Sequence, residues 1–155
     1  MTTKHLFTAA VLVVGLGGTA LAQSSDPLVG SWKLNVAKSK GISFKSGSTK
    51  IEPAGAGVKF TVDFEGTDGT MYHWTFTANY DGKDNPVTGN SPYGDATALT
   101  RVDARTTRVV GKQGGKVTIN QTIAVSSDGK TRTVTTKGTD AKGQPLDSVS
   151  FYDKQ

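Results

Sequence analysis

Beyond residue 22 the chain carries a single histidine, His73, so any proton-transfer or haem-ligand chemistry that needs an imidazole rests on that side chain. Tyr72, Trp74, Phe76, Ala78 and Tyr80 fall on one face of an alternating segment, and His73 falls on the other with Met71, Thr75 and Thr77. The imidazole therefore points outward if the aromatic face is inner. Asp63 and Glu65 share the outward face of the preceding segment, so a carboxylate–histidine pair across the hairpin is open to it, as a dyad or as a surface pair. The aromatic face, Tyr72, Trp74, Phe76 and Tyr80 together with Phe60 and Phe64, offers rings on which a flat apolar ligand stacks. The same rings could simply fill a core.

Gln121 interrupts the apolar face formed by Val117, Ile119, Ile123 and Val125. A buried amide must find partners, so Gln121 either orients a ligand or joins a structural network. Arg101 shares a face with Leu99 and Asp103, and Arg132 lies one pleat from Val134. Either could meet a carboxylate ligand from inside, but an exterior ion pair is the expectation for both. Asp81, Asp84 and Asn85 place three oxygen-bearing side chains in one loop, a set able to hold Ca²⁺ weakly; the EF-hand spacing is missing and turn chemistry accounts for Asp81-Gly82. No metal site and no cofactor are expected. No G-x-S-x-G elbow, H-E-x-x-H, Walker loop or EF-hand loop occurs beyond residue 22. Absence of cysteine closes the thiolate-metal, cysteine-nucleophile, lipoprotein-anchor and disulfide classes.

The first 22 residues explain themselves as an export leader. Lys4 precedes an apolar run from Leu6 to Leu16, glycines at 15, 17 and 18 follow, and Ala20-Leu21-Ala22 supplies the small residues of a cleavage site. The run is shorter than the ~20 residues a membrane span requires, so stable membrane insertion is not expected. Gly15-Leu16-Gly17-Gly18-Thr19-Ala20 matches the dinucleotide-binding pattern, but no strand precedes it and the segment is discarded on cleavage. The expected product starts at Gln23 in the periplasm or outside the cell, a single domain over residues 23–155. Loss of Lys4 reduces 18 basic residues to 17 against 13 acidic ones, a net charge of +4. These charges are scattered rather than clustered, so nucleic acid is not an expected partner.

The elements that position these side chains read as strands. Thr and Val are abundant, no long 3.6-residue periodicity occurs, and Gly or Asp-Gly turns recur at short intervals. Gly30–Val36 alternates Trp32, Leu34 and Val36 on one face. Ala37–Ser48 is irregular and is expected to cross or cap one end, with room for a short helical turn. Thr49–Pro53, Val58–Glu65, Thr70–Tyr80, Pro86–Gly89, Ala96–Asp103, Thr106–Lys112, Lys116–Val125 and Thr131–Lys137 follow, and a last strand runs to Tyr152. About ten strands in an up-and-down antiparallel meander must hide their edges, and closing into a β-barrel does so best.

Two stretches carry a resemblance. Gly30-Ser31-Trp32, within Asp26–Leu34, resembles the G-x-W opening of calycin barrels, the lipocalin and fatty-acid-binding-protein group. The resemblance implies that Trp32, with Gly30, anchors the closed end of a barrel. Leu34–Lys40, the segment Tyr80-Asp81-Gly82-Lys83-Asp84-Asn85-Pro86-Val87-Thr88-Gly89, Arg101–Asp103 and Ser127–Thr131 are similar to a family of small exported bacterial proteins, lipocalin-like and of undefined function. Neither the Thr-Asp-Tyr of the second lipocalin motif nor a cysteine pair is present, which directs the comparison to a ten-stranded relative.

Three functions remain open. The leading one is an exported carrier or sensor that binds an apolar or aromatic small molecule in the lumen through Phe60, Phe64, Tyr72, Trp74, Phe76, Tyr80 and Gln121. The second is a barrel lyase, isomerase or hydratase that moves a proton through His73, a carboxylate or a tyrosine. The third is an envelope interaction protein with a filled barrel. An open apolar cavity, a cavity with converging ionisable groups, or a packed interior discriminates among them. Oligomeric state is not legible.

Overall fold

Period-two alternation runs through the chain, and the computed structural model, which describes residues 25–140 and 142–155, shows what it builds. The export leader expected over residues 1–22 lies outside the described residues. The strands are β1 (Gly30–Lys40), β2 (Phe44–Ala54), β3 (Gly57–Gly66), β4 (Met71–Ala78), β5 (Asn85–Pro86), β6 (Thr88–Gly89), β7 (Ala96–Asp103), β8 (Thr106–Gln113), β9 (Lys116–Val125), β10 (Thr131–Thr139) and β11 (Pro145–Lys154). They form one sheet of 11 strands in the order β5-β7-β8-β9-β10-β11-β1-β2-β3-β4-β6. Each long strand pairs antiparallel with the next except β4 and β7, and β11 returns to pair with β1. The expected all-β, up-and-down barrel is therefore present.

Two details depart from the sequence reading. The stretch Ala37–Ser48 contains no helical turn: β1 continues to Lys40, and β2 starts at Phe44. A register shift against β11 between Asn35 and Lys40 breaks the alternation there, which is why the segment reads as irregular. The expected strand over Pro86–Gly89 is split into two pairs of residues that serve different neighbours. Asn85 and Pro86 pair with Thr97 and Ala96 of β7, whereas Thr88 and Gly89 pair with Thr75 and Trp74 of β4.

That split closes the barrel. Strands β4 and β7 are the two long edges, and residues 85–89 form a strap that hydrogen-bonds to both. Asp81 adds an isolated bridge to Thr100. Asn90 fastens the strap further: its side-chain oxygen accepts from His73 N at 2.7 Å and its amide donates to Met71 O at 2.8 Å. Gly89, at φ +108°, lies so close to β4 that an added Cβ would stand 2.1 Å from the His73 carbonyl oxygen.

The core lies inside the ring and is sealed at one end by the segment before β1. Val29 N donates to Asp26 O at 3.0 Å, a turn that lays Leu28 over the barrel. Trp32 is wholly buried beneath it and donates its indole N–H to Leu28 O at 2.9 Å. Trp32 thus lies at the sealed end of the barrel. Gly30, at φ +139°, sits where the chain enters β1 in a conformation that side chains with a Cβ rarely adopt.

Candidate ligand site in the barrel lumen

On β3, Val58, Phe60, Val62 and Phe64 are all buried, and across the hairpin Trp74 and Ala78 are buried with them. Register places Phe60 opposite Phe76, Val62 opposite Trp74 and Phe64 opposite Tyr72, so the two strands present one continuous aromatic wall. Phe60 and Phe76 stack at 4.6 Å between ring centroids, and Phe64 meets Trp74 edge-on at 5.6 Å. Tyr93, from the loop after the strap, closes on the other side of Trp74 at 5.9 Å.

The wall does not fill the lumen. A cavity of about 80 Å³, counted as the space open to the centre of a water molecule, lies against Phe60, Phe64, Trp74 and Phe76. On the far side of the ring, β9, β10 and β11 contribute the polar groups Gln121, Arg132, Thr136, Ser150 and Tyr152. The lumen is thus two-sided, aromatic on β3–β4 and mixed on β9–β11, where those polar groups stand among Ile119, Ile123 and Val134. Gln121 donates through Nε2 to Thr136 Oγ1 at 3.0 Å, so its amide enters a network and borders the cavity at once. The structural-network reading is met by the Thr136 bond, and the lining position leaves Gln121 available to a ligand.

The structure separates the remaining candidates. Tyr72 borders no part of the cavity; it packs edge-on against Phe44 at 5.8 Å. Tyr80 also lies away from the cavity, beyond the end of β4, where its hydroxyl donates to Asp26 and its ring lies 3.8 Å from the Arg101 guanidinium carbon. Burial, then the adjacent Asp26 carboxylate, raise the Tyr80 pKa. Arg101 forms the expected ion pair, donating to Asp26 at 2.6 Å, but in a half-buried clamp that holds the Asp26–Val29 turn to β7. Val117, expected on the inner face of β9, is 48% exposed. The register shift opposite Gly111 and Lys112 puts it out of step with Ile119.

His73 lies outside the barrel, its side chain 61% exposed, with Nδ1 2.6 Å from Asp63 Oδ1. The carboxylate–histidine pair is a surface pair on the outer face of β3–β4. The three oxygen-bearing side chains of the Asp81 loop are each engaged within the protein, two locally and one with β8. Asp81 accepts from Lys83 N, Asp84 pairs with Lys112, and Asn85 donates to Lys83 O. Among the described residues no group of three or more His, Cys, Asp or Glu side chains converges to hold a metal ion.

Arg132 overturns its expectation. It is not in an exterior ion pair; it is 2% exposed and points inward with Val134 and Thr136 on β10. Its guanidinium carbon lies 4.2 Å from the Tyr152 ring centroid and 5.2 Å from that of Trp32. Burial lowers its pKa to about 10, so the side chain remains cationic at neutral pH. The strand hides this inward arginine from sequence reading because Thr131, Thr133, Thr135 and Thr136 give neither face a clear apolar signature.

No protein-family model matches the chain, and no curated protein matches it. Among solved structures, the redesigned β-barrel mFAP1 bound to DFHBI is similar over 83% of this chain and 95% of that chain, with 13% identity and a TM-score of 0.43.

Proposed function

We propose that this protein is an exported carrier or sensor that holds a small molecule with an apolar or aromatic body inside its barrel. The observation that carries this reading is the two-sided cavity, in which the rings of Phe60, Trp74 and Phe76 face Gln121, Thr136 and Tyr152. Apolar lining with a few convergent polar groups is the general design of small-molecule sites. Export rests on the Lys4, Leu6–Leu16 and Ala20-Leu21-Ala22 pattern.

The enzyme reading has less support. Its histidine is on the outer face, and no Asp, Glu or His borders the cavity among the described residues. Tyr93 and Tyr152 do border it, but burial raises both pKa values, which makes either hydroxyl a poor base at neutral pH. A filled-barrel interaction protein would have no such cavity.

Alternation forbids neighbours 73 and 74 from sharing a face, and this supplies the test. In ligand-observed NMR with a panel of benzene-sized aromatic molecules, Trp74→Leu should weaken binding roughly three- to tenfold while keeping the fold. His73→Ala should leave it unchanged. Loss of binding in His73→Ala with none in Trp74→Leu would move the site to the outer face.

A further inference from the structure

Arg132 holds a charge with no counter-ion among the described residues. None of the ion pairs among the described residues involves it, and its Nε is buried without a hydrogen-bond partner. The rings of Tyr152 and Trp32 attract the cation, but a ring meets the face of a guanidinium, whereas the N–H donors lie in its plane. Those in-plane donors suit a carboxylate, which accepts two parallel bonds from the guanidinium fork. A buried, unpaired cation is costly to keep, and a partner anion removes that cost on binding.

We propose that the lumen takes a small monocarboxylate with an apolar or aromatic body, its carboxylate on Arg132 and its body against Phe60, Trp74 and Phe76. This rests on the lumen-binding reading above and names the ligand class for it. One negative charge is the match because Arg132 is the one charged side chain bordering the cavity among the described residues. A dianionic phosphate would leave a charge uncompensated in an apolar site. Size is bounded as well. A cavity of about 80 Å³ is about half the ~150 Å³ that holds benzene in an engineered apolar cavity, so the body is at most a single ring, seated only if the lining gives, and an extended long-chain acid is excluded. Thr136 and Ser150, both buried beside the cavity, add hydroxyls within the same wall.

The test compares benzoate with its neutral counterpart benzyl alcohol, by titration calorimetry on the folded protein. Benzoate should bind at least tenfold more tightly, and Arg132→Leu should abolish that preference. A second readout needs no variant: the Arg132 Nε–H resonance in ¹⁵N-resolved NMR should shift on adding benzoate and stay in place with benzyl alcohol. Equal binding of the two molecules, or an unmoved Nε–H with benzoate bound, would overturn the carboxylate assignment and leave the lumen reading standing. Binding of neither would remove the lumen reading itself.

Discussion

Trp32 joins parts of the molecule that are distant in sequence. Its indole N–H holds the Asp26–Val29 turn at Leu28, and its ring faces the cations of Arg132 on β10 and Lys154 on β11, the latter at 5.1 Å. Removing the ring opens a large cavity and frees the cap, so Trp32→Ala should cost roughly 3–5 kcal/mol, read from urea unfolding. An unchanged midpoint would show that the Asp26–Val29 turn is sealed without it. The clamp of Asp26, Tyr80 and Arg101 acts beside it, binding the same turn to β7 through a half-buried ion pair and a tyrosine hydroxyl. Tyr80 is therefore a residue of the cap, although its position in the alternating row predicts a lumen ring.

At the scale of elements, closure depends on the strap. Nine long strands leave a seam between β4 and β7, and residues 85–89 satisfy both edges with a few backbone bonds. Gly89 is the residue this requires, since its positive φ and its closeness to the His73 carbonyl exclude a side chain. Gly89→Ala should destabilise the protein by roughly 1–3 kcal/mol through backbone strain. Hydrogen exchange should then quicken first in β4 and β6 rather than in β10 and β11. Uniform exchange across the barrel would mean that the strap is not a separate unit of closure. Turns elsewhere share one device. Asp68, Asp103 and Asp128 each accept a bond from the backbone N–H two residues on; these bonds are the first cause that holds the Asp68 and Asp103 carboxyls below the usual range, and for Asp128 the Ser126 hydroxyl comes first and the backbone bond second.

For the whole molecule, Tyr80, Tyr93 and Tyr152 set an upper pH limit. Burial is the first cause of a raised pKa in each, so the folded state keeps protons that the unfolded chain releases near pH 10. The unfolded state then binds fewer protons, and stability falls as pH rises through and beyond that value. Tyrosinate absorbance from these three residues should appear together with loss of the near-UV circular dichroism signal. Full ionisation in a folded barrel would contradict their burial. Export makes a separate prediction: mass analysis of protein recovered from the host envelope or medium should find Gln23 at the N-terminus. A mature chain that begins far from Gln23 would remove the leader assignment.

Alternation was enough to read most of the barrel from residues alone. Val58, Phe60, Val62 and Phe64 turn inward together, Trp74 joins them, and His73 faces out, because a strand has only two faces and burial selects the apolar one. Position within the closed ring was not legible in the same way. Whether an inward ring reaches the lumen depends on where its strand ends and what packs above it, so Tyr72 and Tyr80 share the face of Trp74 yet miss the cavity. Bulges at β1 and β9 shift faces without any mark in composition, which displaced Val117. Arg132 is the sharpest case. A charged residue on a threonine-rich strand defaults to solvent in any local reading, and only the closing of β10 and β11 against β1 turns it onto Trp32 and into the lumen.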